Sequence, residues 1–343
     1  MLFLQIVKKY ILYAALLSAA LFAAFNGSLL SYAVHLGWGQ LKIICCAKPV
    51  SYWMENKSFP DSLKNKLKLI EEIRRFGIDS LGLKDADNYK KLYNQEGQEI
   101  MWVVQACEAF DLKPVQWHFP VVGDMPYKGF FEKKKALREA GNWEEKGFDV
   151  SIQNPAGWST LGWFSDPILS NMLWASEGEL ANLILHEMVH SAIFIANKTE
   201  WNENLATFLG DASAYLFLNY KFGKNSKEYQ NYFYEELDAQ KRIAHAMRGA
   251  RKLDSLYRTF STSDSLSWKK EKKRMLIKEI MERRDTLGLH YLRPYAKLPN
   301  NVYFMSYRLY HDKQQDFKRE CETLFAGDIK KYIQHWKEKS AGG

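Results

Sequence analysis

The segment most informative about the fold runs from Glu179 to Tyr220 and reads ELANLILHEMVHSAIFIANKTEWNENLATFLGDASAYLFLNY. The density and spacing of its apolar residues are typical of helices. We predict one helix over residues 179–196, a second over residues 203–220, and a polar connection over residues 197–200. The first helix is predicted to be almost wholly buried, because most of its residues are apolar. They include Leu183, Ile184, Leu185, Val189, Ile193 and Phe194.

Within the first predicted helix, the residues from His186 to His190 form an HExxH motif. Two histidines four positions apart lie on one helical face, one turn apart, so both imidazoles can reach one metal ion. Glu187 projects beside them, where it can act as the general base for a zinc-activated water. Burying these polar groups in an apolar helix costs free energy unless a bound metal ion offsets that cost. The motif therefore predicts a Zn2+ site with His186 and His190 as ligands.

A catalytic zinc site needs a third protein ligand and one open position. Glu203 lies 13 residues after His190 and opens the second predicted helix. Small residues follow it at helical spacing, and they would let the two helices approach closely with the metal between them: Ala206, Gly210 and Ala214. Glu203 is therefore the predicted third ligand. The competing interpretation is that Glu203 only stabilises the N-terminus of its own helix.

An HExxH motif on a helix is typical of zinc metallopeptidases. Such an enzyme also needs a donor for the oxyanion of its tetrahedral intermediate, and tyrosine often serves. We predict Tyr310 first and Tyr127 second, with Tyr303 and Tyr307 as further candidates. Residues 158–164 are predicted to be a short strand just before the metal helix. Such a strand either pairs with a substrate backbone at its edge or is an ordinary buried strand.

The remaining elements predict a mainly α fold with a small β element. The active-site helix packs on the second ligand-bearing helix, beside short edge strands and a long basic helical hairpin. Helices are predicted over residues 60–83, 88–110 with a break at Gly97, 130–146, 227–260, 267–287, 301–325 and 328–339. Short strands are predicted within residues 114–129 and 148–163.

The N-terminus carries Lys8 and Lys9 before an uncharged run from Tyr10 to Phe25, and the chain stays largely apolar through Leu36. This length is enough for a membrane span, and the basic pair would remain in the cytoplasm. We predict a membrane anchor or signal segment over residues 1–36. A zinc metallopeptidase domain over residues 37–343 is expected outside the cytoplasm, at the periplasmic face of the membrane. A signal peptide cleaved near Ser18-Ala19-Ala20 is the alternative.

The net charge of +8 comes mostly from the predicted basic hairpin, in residues 241–258 and 269–284. Nucleic acid is not expected as a partner, because the chain has an export signal and no recognition motif. Anionic lipid or an acidic partner is a second interpretation, and a solvated pair of helices is a third. The four cysteines contain no CxxC pair, which argues against a cysteine zinc site.

Several motifs together resemble the bacterial Putative aminopeptidase family, over a range from about Gly37 to Lys337. They are Trp117-His118-Phe119-Pro120-Val121-Val122-Gly123, Tyr127-Lys128-Gly129, Ser159-Thr160-Leu161-Gly162-Trp163-Phe164, Asp166-Pro167, His186 to His190, Asn202-Glu203 and Asn300-Asn301. The resemblance implies a gluzincin-like metallopeptidase of the cell envelope, with Glu203 as third ligand.

We therefore expect an aminopeptidase-like zinc metallopeptidase that hydrolyses peptide substrates, with Glu187 as general base. The alternative is a non-enzymatic envelope scaffold that keeps a structural metal site. Glu187 separates the two, since it is not a ligand and has no role in a purely structural site. The sequence does not specify peptide preference, cleavage end or oligomeric state.

Overall fold

A computed structural model describes residues 27–85, 87–119, 123–155, 165–196, 198–291, 297–311 and 313–341 of the 343 residues. The chain divides into two units, Met1–Cys46 and Ala47–Gly343. The described part of the first unit is helix α1, Gly27–Cys46, which continues through Gly37 without a break.

Within the described ranges, no helix combines the length and the hydropathy that a membrane crossing requires. The uncharged run from Tyr10 to Phe25, on which the predicted anchor rests, lies outside those ranges.

The larger unit is mainly helical with small sheets, which confirms the predicted fold class at this level. Its α-helices are α2 Val50–Glu55, α3 Asp61–Asp79, α4 Lys133–Glu145, α5 Glu177–Ala192, α6 Thr199–Phe222, α7 Lys227–Arg258, α8 Leu266–Glu282, α9 Asn301–His311, α10 Gln314–Phe325 and α11 Ile329–Ala341. Two 3₁₀ helices, Ser170–Trp174 and Arg283–Leu287, lie before α5 and after α8.

The strands of the described ranges form three small sheets. Their bounds are β1 Lys48–Pro49, β2 Lys91–Tyr93, β3 Trp102–Cys107, β4 Trp117–Phe119, β5 Gly123–Met125, β6 Lys128–Phe130, β7 Asp149–Gln153 and β8 Ile168–Leu169. β2 pairs antiparallel with β1 and parallel with β8. β3 pairs antiparallel with both β6 and β7, and β4 pairs antiparallel with β5.

The predicted helix over residues 88–110 is wrong, because this region forms β2 and β3. The sequence of β3, Trp-Val-Val-Gln-Ala-Cys, is a short apolar run whose period does not separate a strand from a buried helix. Its partners β6 and β7 lie more than 20 residues away in sequence. Val104, Ala106 and Cys107 of β3 are completely buried in the fold. Tertiary pairing therefore decides the conformation of this segment.

The single helix predicted over residues 301–325 is in fact two helices, α9 and α10. Asn204 of α6 lies against the break. Its side-chain amide donates to the Leu309 carbonyl oxygen at 2.6 Å, and its side-chain oxygen accepts from the Lys313 N–H at 2.9 Å. These bonds satisfy backbone groups that a continuous helix would have paired internally.

Helix α5 begins with a capping box. The Ser176 hydroxyl accepts from the Glu179 N–H at 3.1 Å, and the Glu179 carboxylate accepts from the Ser176 N–H at 3.2 Å. The helix packs on α3 and α6, and residues such as Leu180, Ile184 and Leu185 are wholly buried. The local cap and the buried face together fix the position of the helix that carries the HExxH motif.

Helices α7 and α8 form the basic hairpin, and they pack on α9 through an apolar cluster of Leu112, Ala250, Leu253, Tyr257, Ile277, Ile280, Met281 and Phe304. Lys273 of α8 turns inward, where it donates to the Ala109 carbonyl oxygen at 2.9 Å and pairs with Asp149. Asp149 also accepts from the Asn301 N–H at 2.8 Å. One lysine of the basic stretch is thus part of the interior.

Candidate functional site

Helices α5 and α6 approach each other closely where Gly210 faces His186. A Cβ atom placed on Gly210 would lie 3.1 Å from His186 Cβ and 3.3 Å from His186 Cα. Such separations are tighter than ordinary van der Waals contact, so a larger residue here would push the helices apart. The predicted role of small residues on this stripe of α6 therefore has a geometric basis at Gly210.

His186, His190 and Glu203 come together between these two helices. The Nε2 atoms of the two histidines lie 3.0 Å apart. A Glu203 carboxylate oxygen lies 3.7 Å from His186 Nε2 and 3.6 Å from His190 Nε2. One donor atom from each residue falls within 4.8 Å of the others, and this is the one such His/Cys/Asp/Glu group found in the described part of the chain.

This donor set fits a tetrahedral zinc ion. Zinc–ligand distances of about 2.0–2.1 Å at tetrahedral angles place neighbouring ligand atoms roughly 3.3 Å apart. The three separations of 3.0, 3.6 and 3.7 Å bracket that value. Two imidazoles and one carboxylate are also a ligand set of catalytic zinc sites, in which the fourth position stays open.

Glu187 lies beside the three donors and is buried, with 8% of its surface exposed. Burial raises the pKa of its carboxyl group to about 7, with further contributions from Glu203 and Asp166, while His186 opposes the shift. Within the described residues, the Glu187 Oε2 atom is buried and has no hydrogen-bond partner. A buried oxygen of this kind is expected to face a small polar molecule rather than protein.

Glu203 is the fifth residue of α6, because the helix begins at Thr199 rather than at Glu203 as predicted. The charge effect of a helix N-terminus falls off within its first turn, where Glu200 is the acidic residue. Burial would raise the pKa of Glu203, but His190 and His186 outweigh burial and hold that pKa well below its usual value. The two histidines, and not the helix end, dominate the surroundings of this carboxylate.

Two asparagines hold the backbone on either side of Glu203. The Asn202 side chain accepts from the Ile195 N–H at 3.0 Å and donates to the Ile195 carbonyl oxygen at 2.7 Å. This pair of bonds ties α6 to the connection that follows α5. Asn204 makes the contacts with the α9–α10 break described above. Both amides are buried, so they restrict the position of the carboxylate between them.

The predicted oxyanion donors Tyr127 and Tyr310 lie near the same centre. The pKa of the Tyr127 hydroxyl is raised well above its usual value, and burial is the largest cause. The charge of Glu203, the Tyr310 hydroxyl and the charge of Glu187 raise it further, in that order. The pKa of Tyr310 is raised in the same way by burial, Glu203 and Glu187. Both hydroxyls therefore remain protonated and can donate hydrogen bonds at neutral pH.

Tyr303 and Tyr307 have different surroundings. Their rings contact each other with centroids 5.0 Å apart. After burial, Tyr307 has the largest effect on the pKa of Tyr303, and Arg284 and Arg242 oppose the rise. Neither Glu187 nor Glu203 is among the groups that shift it. The predicted substrate-pairing strand, residues 158–164, lies outside the described residues.

Tyr89 is a site neighbour that the sequence reasoning missed. It is 3% exposed, and its φ of 63° lies in the left-handed region that non-glycine residues rarely adopt. The Tyr89 N–H donates to the Asp166 carbonyl oxygen at 2.7 Å. The pKa of the Tyr89 hydroxyl is raised well above its usual value, mainly by burial and further by the charges of Glu187 and Asp166. Strained backbone of this kind clusters at functional sites. The one sequence signal nearby was Asp166-Pro167.

A further carboxyl group, Asp211, follows Gly210 on α6 and was not predicted. It accepts hydrogen bonds from the Asn182 amide and, at 3.4 Å, from the Tyr232 hydroxyl. Burial raises its pKa to about 6, against the opposing effects of Asn182, His186 and Tyr232. Asp211 adds negative potential on the side of His186 that faces α6.

The fold and the site define a mainly helical protein with a three-donor, metal-competent centre between two helices. The family model described as Putative aminopeptidase matches residues 31–341, and the chain belongs to this family. No curated protein and no solved structure matches the chain.

Proposed function

We propose that this chain is an aminopeptidase-like, gluzincin-like zinc metallopeptidase that hydrolyses peptide bonds. The observation that carries the proposal is the convergence of His186, His190 and Glu203 beside the buried carboxyl group of Glu187. Family membership supports the peptidase class and the aminopeptidase assignment. In this proposal His186, His190 and Glu203 hold the metal, while Glu187 stays unligated.

A zinc ion in this centre would polarise the scissile carbonyl and make a water molecule more acidic. In this proposal Glu187 would accept a proton from the attacking water and deliver it to the leaving amine nitrogen. In the metal-free chain burial raises the pKa of Glu187 to about 7, and a carboxyl group with a raised pKa is suited to both take up and release a proton near neutral pH.

Tyr310 and Tyr127 are proposed to bind the substrate carbonyl oxygen as negative charge develops on it. A neutral tyrosine hydroxyl donates a hydrogen bond to such an oxygen, and the raised pKa of both groups keeps them neutral. We rank Tyr310 before Tyr127, in the order that the sequence suggested.

The test is the variant Glu187→Gln. Glutamine keeps the size of the side chain and removes the base, so zinc content and fold should be retained. Peptide hydrolysis should fall by roughly 100-fold or more, the scale on which general bases contribute. Hydrolysis is measured on a mixed peptide library, and zinc on the same samples by elemental analysis. Glu322→Gln, an exposed residue of α10, serves as the matched control and should match the wild type.

Two outcomes would count against the proposal. Equal hydrolysis by the wild type and Glu187→Gln would show that Glu187 is not the base. A wild type that holds zinc but cleaves no peptide of the library would favour an envelope scaffold with a structural metal site.

A further inference from the structure

The exposed end of the α7–α8 hairpin carries a charged and apolar surface that the proposed peptidase chemistry does not use. This hairpin tip comprises residues 258–274. Its six basic residues are Arg258, Lys269, Lys270, Lys272, Lys273 and Arg274, and its two acidic residues are Asp264 and Glu271. Apart from Lys273, which is buried, the basic residues lie at or near the surface.

Both acidic groups of the hairpin tip are already satisfied within it. Glu271 forms a two-point ion pair with Arg274, at 2.7 and 2.9 Å. Asp264 accepts from the Ser261 N–H at 2.7 Å in the turn between the helices. Within the described part of the chain, no ion pair involves Arg258, Lys269, Lys270 or Lys272. The tip therefore presents a surplus of positive charge that its own carboxylates do not neutralise.

Apolar side chains lie among these cations. Leu266 is 59% exposed and Trp268 is 43% exposed, at the start of α8. The Lys272 Nζ atom lies 5.6 Å from the centre of the Trp268 ring, and Phe260 contacts that ring with centroids 5.6 Å apart. A tryptophan and a leucine beside lysines match the composition of protein surfaces that sit at the headgroup level of a bilayer.

We propose that the hairpin tip docks on the anionic headgroups of a phospholipid bilayer. Lysines supply long-range attraction to the negative surface, and Leu266 and Trp268 enter the boundary between headgroups and acyl chains. Single-stranded nucleic acid is the other polyanion that basic and aromatic residues bind, and it requires open aromatic faces for base stacking. Here Lys272 and Phe260 already contact the Trp268 ring, which disfavours that use.

The experiment uses the full chain in lipid nanodiscs of pure phosphatidylcholine or of an equimolar mixture with phosphatidylglycerol. Hydrogen–deuterium exchange is followed in peptides that cover residues 259–270. This local readout separates the tip from any contribution of the N-terminal segment, which both kinds of disc accept. We expect slower exchange at the tip in the anionic discs alone, and we expect high salt to abolish the protection.

The paired variants change the same net charge at two places. In Lys270→Gln/Lys272→Gln, two cations of the tip are lost, and the docking equilibrium should weaken by roughly 30-fold, from about a fivefold loss per lysine. The control Lys318→Gln/Lys330→Gln removes two exposed lysines of α10 and α11 and should keep the protection.

Three results would overturn the proposal. One is equal exchange at the tip in neutral and anionic discs. Another is equal loss of protection in both paired variants, which would indicate a general charge effect. The third is protection of the tip by polyglutamate or single-stranded DNA in solution and not by anionic discs, which would assign the surface to a different partner.

Discussion

The carboxyl group of Glu187 is buried beside the three candidate metal ligands, although an ionised carboxylate is most stable in water. The same burial that raises its pKa to about 7 suits it to proton transfer and makes it a cost to the metal-free fold. Functional groups of this kind are expected to reduce stability, and their removal is expected to increase it.

Because the buried Glu187 carboxyl group destabilises the fold when it is ionised, the stability of the metal-free protein should depend on pH. The pKa of Glu187 is about 7 in the folded chain and 4.5 as an ordinary glutamate, so the folded state binds more protons between these values. Its contribution to stability therefore falls as pH rises from about 4.5 through about 7. Glu187→Gln removes this dependence. At about pH 8 the variant should be more stable than the wild type by about 3 kcal/mol, at 1.36 kcal/mol per pKa unit.

The measurement is denaturant unfolding of both metal-free proteins over a range of pH. The difference between them should shrink towards zero at about pH 4, where the carboxyl group is protonated in both states. A difference that does not change with pH would contradict the raised pKa.

The residues that the sequence could predict are those whose geometry is local. His186, Glu187 and His190 lie within two turns of one helix, so their spacing alone brings them together. Tyr89 could not be found in this way, because it reaches the site through a left-handed backbone and a bond to Asp166, 77 positions later. The Asp166-Pro167 pair marks one side of this contact in the sequence, but nothing in the sequence pairs it with Tyr89.

At the scale of elements, the helices that frame the site were predictable and the strands were less so. Helices α5 and α6 follow from apolar spacing over long windows, although α6 begins four residues before its predicted start. The region of β2 and β3 was misread as a helix, because three to six residues are too few to show a period. The break between α9 and α10 is specified by Asn204, which belongs to another helix.

The surroundings of two helix glycines predict different effects when each is replaced by alanine. Gly210→Ala places a methyl group 3.1 Å from His186 Cβ, so α5 must shift and displace its histidines. We expect zinc affinity to fall by about 10-fold or more, the scale seen when support for metal ligands is lost. Gly141→Ala in α4 meets no atom within 4 Å, and it should raise stability by about 0.5–1 kcal/mol through helix propensity.

Zinc affinity is measured by competition with a chelator, and stability by thermal unfolding of the metal-free forms. If Gly210→Ala keeps full zinc affinity and gains stability as Gly141→Ala does, close contact between α5 and α6 is not needed for the centre.

At the scale of the whole molecule, the chain divides into a smaller unit that contains α1 and a larger unit. The family match over residues 31–341 includes most of α1 as well as the larger unit. The predicted anchor in residues 1–36 stays a prediction, and so does the location of the peptidase domain outside the cytoplasm.

That topology is tested with a reporter fused after Gly343. The basic pair Lys8-Lys9 before the uncharged run should keep the N-terminus in the cytoplasm and direct the rest outward. A reporter that is active only outside the cytoplasm should therefore be active, and the protein should fractionate with membranes. Activity of a cytoplasmic reporter, with the protein in the soluble fraction, would refute both the anchor and its orientation.

The proposed zinc centre of His186, His190 and Glu203 is tested most directly by the metal content of the folded protein. Elemental analysis after dialysis against zinc should give about one zinc ion per chain. Glu203→Gln weakens a ligand and should lower zinc affinity. Its neighbour Glu200 forms an ion pair with Lys313 and is not among the three donors, so Glu200→Gln should bind zinc as the wild type does. A folded wild-type protein without zinc, or equal zinc binding by both variants, would rule out a zinc centre at these three residues.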